Sequence, residues 1–215
     1  MDEQSNRNIA VGEVVLLDSG GQYHLGTTDV TRTFIRGGKA SDIFKTNFTR
    51  VLKGHIALGS CIFAKGTTGS QLDILARKPL WDAGLDYDHG TGHGVGSYLS
   101  VHEGPQGISK RHNPIALKEG MILSNEPGYY ETGQYGIRIE NLVLVKQSEI
   151  VSDRPFFEFE TLTMAPIDTR LIDATLLDDV EKTWLNTYHA KVLATLSPLL
   201  DESVVAWLTK RCEAI

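Results

Sequence analysis

The sequence predicts an α+β fold. Helical periodicity is confined to residues 41–85 and the C-terminal segment, and strand-like runs occupy the rest. The two are not interleaved in the regular βαβ alternation of a doubly wound sheet. With 215 residues and no internal repeat, low-complexity tract or Pro/Ser-rich linker, a single unit is expected.

In chain order, Val14-Val15-Leu16-Leu17 reads as a short buried strand leading into a turn at Asp18-Ser19-Gly20-Gly21. Residues 29–35 alternate Val30, Arg32 and Phe34 with Thr31, Thr33 and Ile35, and Gly37-Gly38 stops the run. Residues 41–85 read as helical. Ser41 is the expected N-cap, and Phe44, Phe48, Val51, Leu52 and Ile56 recur at three- and four-residue spacing as one apolar stripe. A second helix is expected over 69–83. Pro79 falls inside it, lacks a backbone donor and crowds the preceding turn, so a kink or break is expected there. Residues 121–125 and 136–145 read as strands joined by a Gly/Tyr-rich turn over 127–135, with another strand over 156–164. The C-terminus returns to helix, with Thr175 as its cap and Leu177, Val180, Trp184, Leu185, Tyr188 and Leu196 toward one side.

Composition excludes several roles. The 21 basic and 27 acidic side chains give a formal charge of −6 without a Lys/Arg block, so no basic face for nucleic acid is expected. The N-terminus has no apolar core of a signal peptide, and no run approaches the roughly 18 apolar residues of a membrane span. Cys61 and Cys212 form no disulfide framework, which reads as a reducing, cytoplasmic setting.

The informative residues are carboxylates inside apolar strand sequence: Asp18 after four apolar residues, Asp29 opening a strand, Glu126 after Met121-Ile122-Leu123, and Glu140 within Ile137-Arg138-Ile139-Glu140-Asn141-Leu142-Val143. Burying a carboxylate costs several kcal/mol unless it is paired or holds a cation. One such residue is readily a structural ion pair. Four of them, together with the glycine-rich loop His89-Gly90-Thr91-Gly92-His93-Gly94-Val95-Gly96 and with His102, point to metal. His24, His55, His112 and His189 lack comparable surroundings and read as structural or surface residues. A set of Asp18, Asp29, His93, Glu126 and Glu140, rich in carboxylate and free of thiol, suits Mn²⁺, Mg²⁺ or Co²⁺ better than a closed zinc site. Four negative charges exceed what one dication neutralises. Two ions about 3.5 to 4 Å apart would balance them and generate a hydroxide nucleophile near neutral pH.

Five stretches, taken together, resemble the catalytic domain of cytosolic aminopeptidase P, the Xaa-Pro aminopeptidases. They are Asp18-Ser19-Gly20-Gly21-Gln22-Tyr23, Gly26-Thr27-Thr28-Asp29-Val30-Thr31-Arg32-Thr33, the histidine loop, Asn125-Glu126-Pro127-Gly128-Tyr129-Tyr130 and Gly136-Ile137-Arg138-Ile139-Glu140-Asn141. The resemblance implies the pita-bread (creatinase/aminopeptidase) fold, with residues 1–165 as a catalytic domain lacking its first helix and strand and 166–215 as a helical extension packed on it. It implies two Mn²⁺ per chain, with Co²⁺, Zn²⁺ or Mg²⁺ as alternatives. The implied substrates are peptides with proline at the second position, the implied assembly a homodimer and the implied location the cytoplasm.

By the same resemblance, Asp18 is a terminal ligand of one metal, His93 and Glu126 are terminal ligands of the other, and Asp29 and Glu140 bridge them. A bridging hydroxide attacks the Xaa-Pro bond and Glu126 exchanges the proton. His89 lies near the substrate, His102 stabilises the tetrahedral intermediate, and Arg138 packs beside the bridging Glu140. Tyr129, Tyr130 and Tyr135 are candidates for the proline pocket, with core packing as the alternative. The pattern departs from the family at His24-Leu25, where an Asp is usual, and at the N-terminus, where a further substrate-binding histidine is expected and none of the seventeen residues before Asp18 supplies it. The expectation is an N-terminally truncated catalytic domain with weak or no turnover. Alternatives are a prolidase-like or methionine aminopeptidase-like hydrolase, or a non-catalytic module binding peptides or proteins. Trp81, Trp184, Trp207 and Leu208 are candidates for a partner surface.

Overall fold

In the computed structural model, which describes residues 6–98 and 100–215, the chain opens on a long antiparallel hairpin of β1 (Val14–Tyr23) and β2 (Gly26–Ile35). The expected turn at Asp18–Gly21 is instead strand, and the chain reverses at His24-Leu25. Gly20 serves close approach rather than a turn: a Cβ on it would lie 2.5 Å from the Thr28 carbonyl oxygen. Nor is β1 buried, since Leu17 and Asp18 are exposed.

Helix α1 (Asp42–Gly59) starts where Ser41 Oγ accepts a hydrogen bond from the Phe44 N–H, and its predicted stripe is buried. The expected continuous helical region is interrupted by β3 (Ile62–Ala64) before α2 (Gly69–Trp81), which the Gln71 side chain caps by accepting from the Thr68 N–H. The helix runs on through Pro79 for two residues. The lost donor falls in its last turn, where little helix remains to be broken. Helices α1 and α2 touch at Gly54, where a Cβ would meet the Ala76 carbonyl oxygen at 2.0 Å. Gly54→Ala should therefore force the helices apart and cost about 1–3 kcal/mol, read as a lower urea midpoint.

The remaining strands are β4 (Gly92–Val95), β5 (His102–Ile108), β6 (Ile122–Asn125), β7 (Gly128–Glu131), β8 (Tyr135–Arg138), β9 (Asn141–Gln147) and β10 (Phe156–Thr161). Five of them join β3 in a six-stranded antiparallel sheet in the order β3-β10-β9-β6-β4-β5, while β7 and β8 form a separate hairpin. The expected turn over 127–135 is that hairpin, reversing at Gly133, whose φ of +74° favours glycine. The expected strand over 136–145 is two strands belonging to different sheets, parted at Ile139-Glu140. The last strand stops at Thr161, short of the expected 164.

Thr175 lies in a 3₁₀ turn (Ala174–Leu176) and caps nothing. Asp178, in a reciprocal capping box with Glu181, starts α3 (Asp179–Leu196), and α4 (Glu202–Arg211) follows. Leu185, Tyr188, Val192 and Leu208 share one core cluster with Phe44, Phe48, Val51 and Leu52 of α1 and with Tyr129, Ile137 and Ile139. A second cluster joins α2 to the large sheet through Leu72, Ala76, Leu123 and Val143. Leu208 is core and Trp184 stacks on Tyr188, whereas Trp81 and Trp207 are exposed. Among the described residues no helix is long and apolar enough to cross a membrane.

Candidate metal centre

Five backbone segments bring the predicted residues together. Hairpin register sets Asp18 opposite Thr31 and Gly20 opposite Asp29. His93 lies on β4, Glu126 immediately follows β6, and Glu140 sits between β8 and β9. Two of these positions are fixed by backbone bonds: the Glu126 N–H to the Thr91 carbonyl at 2.8 Å and the Glu140 N–H to the Thr31 carbonyl at 3.1 Å. The result is three overlapping groups, Asp18/Asp29/Glu140, His93/Glu126/Glu140 and Asp29/His93/His102, whose potential ligand atoms lie within 4.8 Å of one another inside each group. Glu140 is common to two groups, and so are Asp29 and His93.

The donor set fits metal ions on its own chemistry. His93 Nδ1 is 2.9 Å from the Gly94 carbonyl, which fixes the ring with Nε2 turned toward the carboxylates, 3.4 Å from Asp29 and 3.3 Å from Glu126, where it would be the ligand atom of the neutral ring. Burial, then the neighbouring Glu126, pushes the Glu140 carboxyl up to about 8. Burial likewise raises Glu126, against the Ser124 hydroxyl that donates to it at 2.9 Å. Burial opposes charge on His93, but Asp29, the Gly94 carbonyl and Glu126 outweigh it and raise its pKa. Carboxylates this crowded repel one another unless cations lie between them.

A chain of hydrogen bonds leads outward from the cluster. Arg138 donates to Asp18 at 2.6 Å and to the Tyr130 hydroxyl at 2.8 Å, and Tyr130 donates to His89 Nε2 at 2.9 Å. His89 Nδ1 faces the Gly90 carbonyl at 2.8 Å, and burial lowers its pKa, so the ring is a neutral acceptor toward Tyr130. Arg138 was expected beside Glu140. It instead pairs with Asp18, lies 3.8 Å from Glu126, and reaches Glu140 only through Thr31, which accepts from Arg138 and donates to Glu140. His102 is exposed, its ring 4.0 Å from that of His93. A cavity of about 470 Å³ opens here, with Asp18, Gly21, Thr28, Asp29, Val101 and His102 in its wall.

The tyrosines separate by strand alternation. On β7, Tyr130 faces the site and Tyr129 faces the core, where its hydroxyl donates to Glu131 at 2.6 Å. Tyr135 packs edge-on against Phe44 and accepts from Asn47. Tyr129 is thus corrected to a core residue. Thr31 and Ser124, each a hydroxyl aimed at a predicted ligand, carried no sequence signal beyond an alternating strand. A larger groove of about 530 Å³, walled by Phe34, Arg36, Pro166, Trp207 and Arg211, contains none of the predicted site residues.

Strand hairpins, an antiparallel sheet and flanking helices thus surround a cluster of carboxylates and histidine that could hold metal ions. The chain matches the model of metallopeptidase family M24 over residues 2–147 and that of the C-terminal region of peptidase M24 over 155–215, and it belongs to that family. Over 221 residues it is 52% identical to a probable Xaa-Pro aminopeptidase P of Coprinopsis cinerea, with all of this chain and 35% of the relative covered. It is 49% identical to aminopeptidase P1 of Lotus japonicus over 94% of this chain and 31% of that one. The X-prolyl aminopeptidase of Caenorhabditis elegans, described as a cytosolic enzyme with a di-nuclear active site, superposes with a TM-score of 0.94 at 44% identity, over all of this chain and 36% of that one. The fold is therefore the expected pita-bread fold, and the chain spans about a third of the length of these relatives.

Proposed function

We propose that this chain carries the metal centre of an aminopeptidase that removes the N-terminal residue from peptides with proline in second place. The observation that carries the reading is the overlap of ligand groups: Asp18 on one side, His93 and Glu126 on the other, Glu140 and Asp29 between them. That arrangement suits two ions, with Mn²⁺ as the preferred pair and Co²⁺, Zn²⁺ or Mg²⁺ as alternatives. When bound, such ions lower the pKa of a water and polarise the scissile carbonyl.

The chain's own residues supply the rest. Glu126, with its raised carboxyl, accepts the proton given up by the attacking water and returns it to the leaving amine. Thr31 holds one carboxylate oxygen of Glu140 and Ser124 one of Glu126, which orients both groups toward the cluster. His102, at the cavity wall, meets the substrate carbonyl, and neutral His89 on its Tyr130 tether borders the same substrate. A cytoplasmic homodimer, with exposed Trp81 or Trp207 at the contact, completes the reading and is checked by light scattering.

The deciding experiment measures Mn content and compares cleavage of Arg-Pro-Pro, an Xaa-Pro dipeptide and Met-Ala-Ser, by this chain and by an N-terminally extended form. Two Mn per chain and preference for Arg-Pro-Pro are expected; a folded chain with no affinity for Mn²⁺ would sink the reading. Metal affinity should also depend on pH. Binding displaces the proton that Glu140 holds up to about pH 8, so affinity falls roughly tenfold per unit just below pH 8, more steeply once His93 and Glu126 also take up protons, and flattens above pH 8. Calorimetric titrations at three pH values check that slope.

A further inference from the structure

Behind the carboxylates lies a polar network that the proposed chemistry does not use. Arg32 is on β2, three residues after Asp29, on the face opposite Thr31. Among the described residues, every acceptor around its guanidinium is a carbonyl, an amide oxygen or a hydroxyl rather than a carboxylate. Nη1 donates to the carbonyls of Thr31, at 2.9 Å, and of Glu140. Nη2 donates to Asn141 Oδ1 at 2.7 Å, to the Ala165 carbonyl at 2.8 Å and to the Tyr188 hydroxyl at 2.9 Å. Nε donates to the Pro166 carbonyl at 3.1 Å. The usual reason for a half-buried arginine, a matching acid, is therefore not what holds it there.

The effect of these bonds falls on two residues. The Glu140 peptide is gripped on both sides, its N–H by the Thr31 carbonyl and its carbonyl by Arg32, while its carboxylate accepts from the Thr31 hydroxyl at 2.7 Å. Asn141 is oriented in turn: its Nδ2 lies 3.1 Å from Nε2 of the buried His55, which leaves Oδ1 facing Arg32. One guanidinium thus ties the strand that carries Asp29 to the residue that carries the other shared carboxylate.

We propose that Arg32 is a positioning residue that sets the spacing of Asp29 and Glu140 and thereby the affinity for the second of two metal ions; this rests on the metal-centre reading above. Lysine at 32 keeps the charge but cannot span acceptors on four separate segments with one ammonium. The test is stepwise Mn²⁺ titration of the chain, with the exchange-coupled Mn pair followed by electron paramagnetic resonance. In Arg32→Lys the first ion should bind within about threefold of the parent. The second should bind about 10- to 100-fold more weakly, with the coupled signal lost at two equivalents. Tyr188→Phe, which removes only the hydroxyl shared by Arg32 and Asn141, should shift the second step in the same direction by less, and it decides the matter if Arg32→Lys does not fold. Equal weakening of both steps, or no change in either, in a variant with native circular dichroism overturns the proposal. If the parent chain itself takes up no Mn²⁺, the metal-centre reading fails and this proposal with it.

Discussion

Asp29→Ala is expected to weaken Mn²⁺ binding by more than about 100-fold, beyond the range reached by losing a mere support of a ligand. In the N-terminally extended enzyme it should lower Xaa-Pro hydrolysis by at least about 1,000-fold, because the water loses the ions that activate it. Asp29 belongs to two of the three ligand groups, so its removal strips an oxygen from both halves of the site at once. Stability gives a readout that simple unfolding would not mimic. Asp29 is one of the charges that raise the Glu140 carboxyl, after burial and Glu126, so deleting it relieves repulsion in the metal-free protein. The metal-free melting temperature should hold or rise. The parent should gain about 2.7 kcal/mol from metal at a hundred times its dissociation constant, and the variant should gain almost nothing. Two-step Mn²⁺ binding that survives in a folded Asp29→Ala protein would contradict the assignment.

The four candidate carboxylate ligands were legible because each is an anomaly against its own segment, a charge in an apolar strand being expensive, and His93 because of the glycine-rich loop around it. The strands themselves were less legible, because the same residues have two physical uses. Gly20-Gly21 looks like a turn from composition, yet both lie in β1, and Gly20 is the place where β1 approaches β2 too closely for a side chain. The run 136–145 looks like one strand, yet Glu140 leaves the ladder to meet Thr31, and the segments on either side join different sheets. Tyr129 and Tyr130 could be told apart only once both were known to lie on a strand, since alternation then sends one of them to the core. The α3 start was available in Asp178-x-x-Glu181, a capping-box pattern that outranks Thr175. What the sequence could not carry is the second layer of the site. Arg32 acts largely through backbone carbonyls, and Arg77, besides its pairs with Asp73 and Asp86, reaches the histidine loop through two of them; every residue has a carbonyl, so no residue type announces these partners.

Arg77→Met is expected to cost about 3–5 kcal/mol, the range for breaking a buried ion pair by removing one partner, and to lower the melting temperature by about 6–20 °C. The Arg77 side chain is fully buried, 2.6 Å from Asp73 and 2.8 Å from Asp86, with its guanidinium 3.8 Å over the Tyr87 ring. It also donates to the carbonyls of Tyr87 at 2.6 Å and His89 at 2.9 Å, which are the entry to the histidine loop. Thr91 closes the circuit, hydrogen-bonded both to Asp73 and to the Tyr87 hydroxyl. Burial works against charge on Asp86, but Lys110 and Arg77 hold its carboxyl well below the usual range, and Lys110 stays as a partner when Arg77 is gone. Asp73 has no such reserve: it is buried, and only the Thr91 hydroxyl would still face it. The dominant cost is therefore the charge stranded on Asp73, not the loss of attraction as such. Adding Asp73→Asn to Arg77→Met should recover part of the loss, so that the double variant is more stable than the sum of the singles predicts. Urea unfolding of the four proteins measures this directly. An Arg77→Met variant within about 1 kcal/mol of the parent would show that the loop holds without this clamp, and additive singles would show that Asp73 is not where the cost falls.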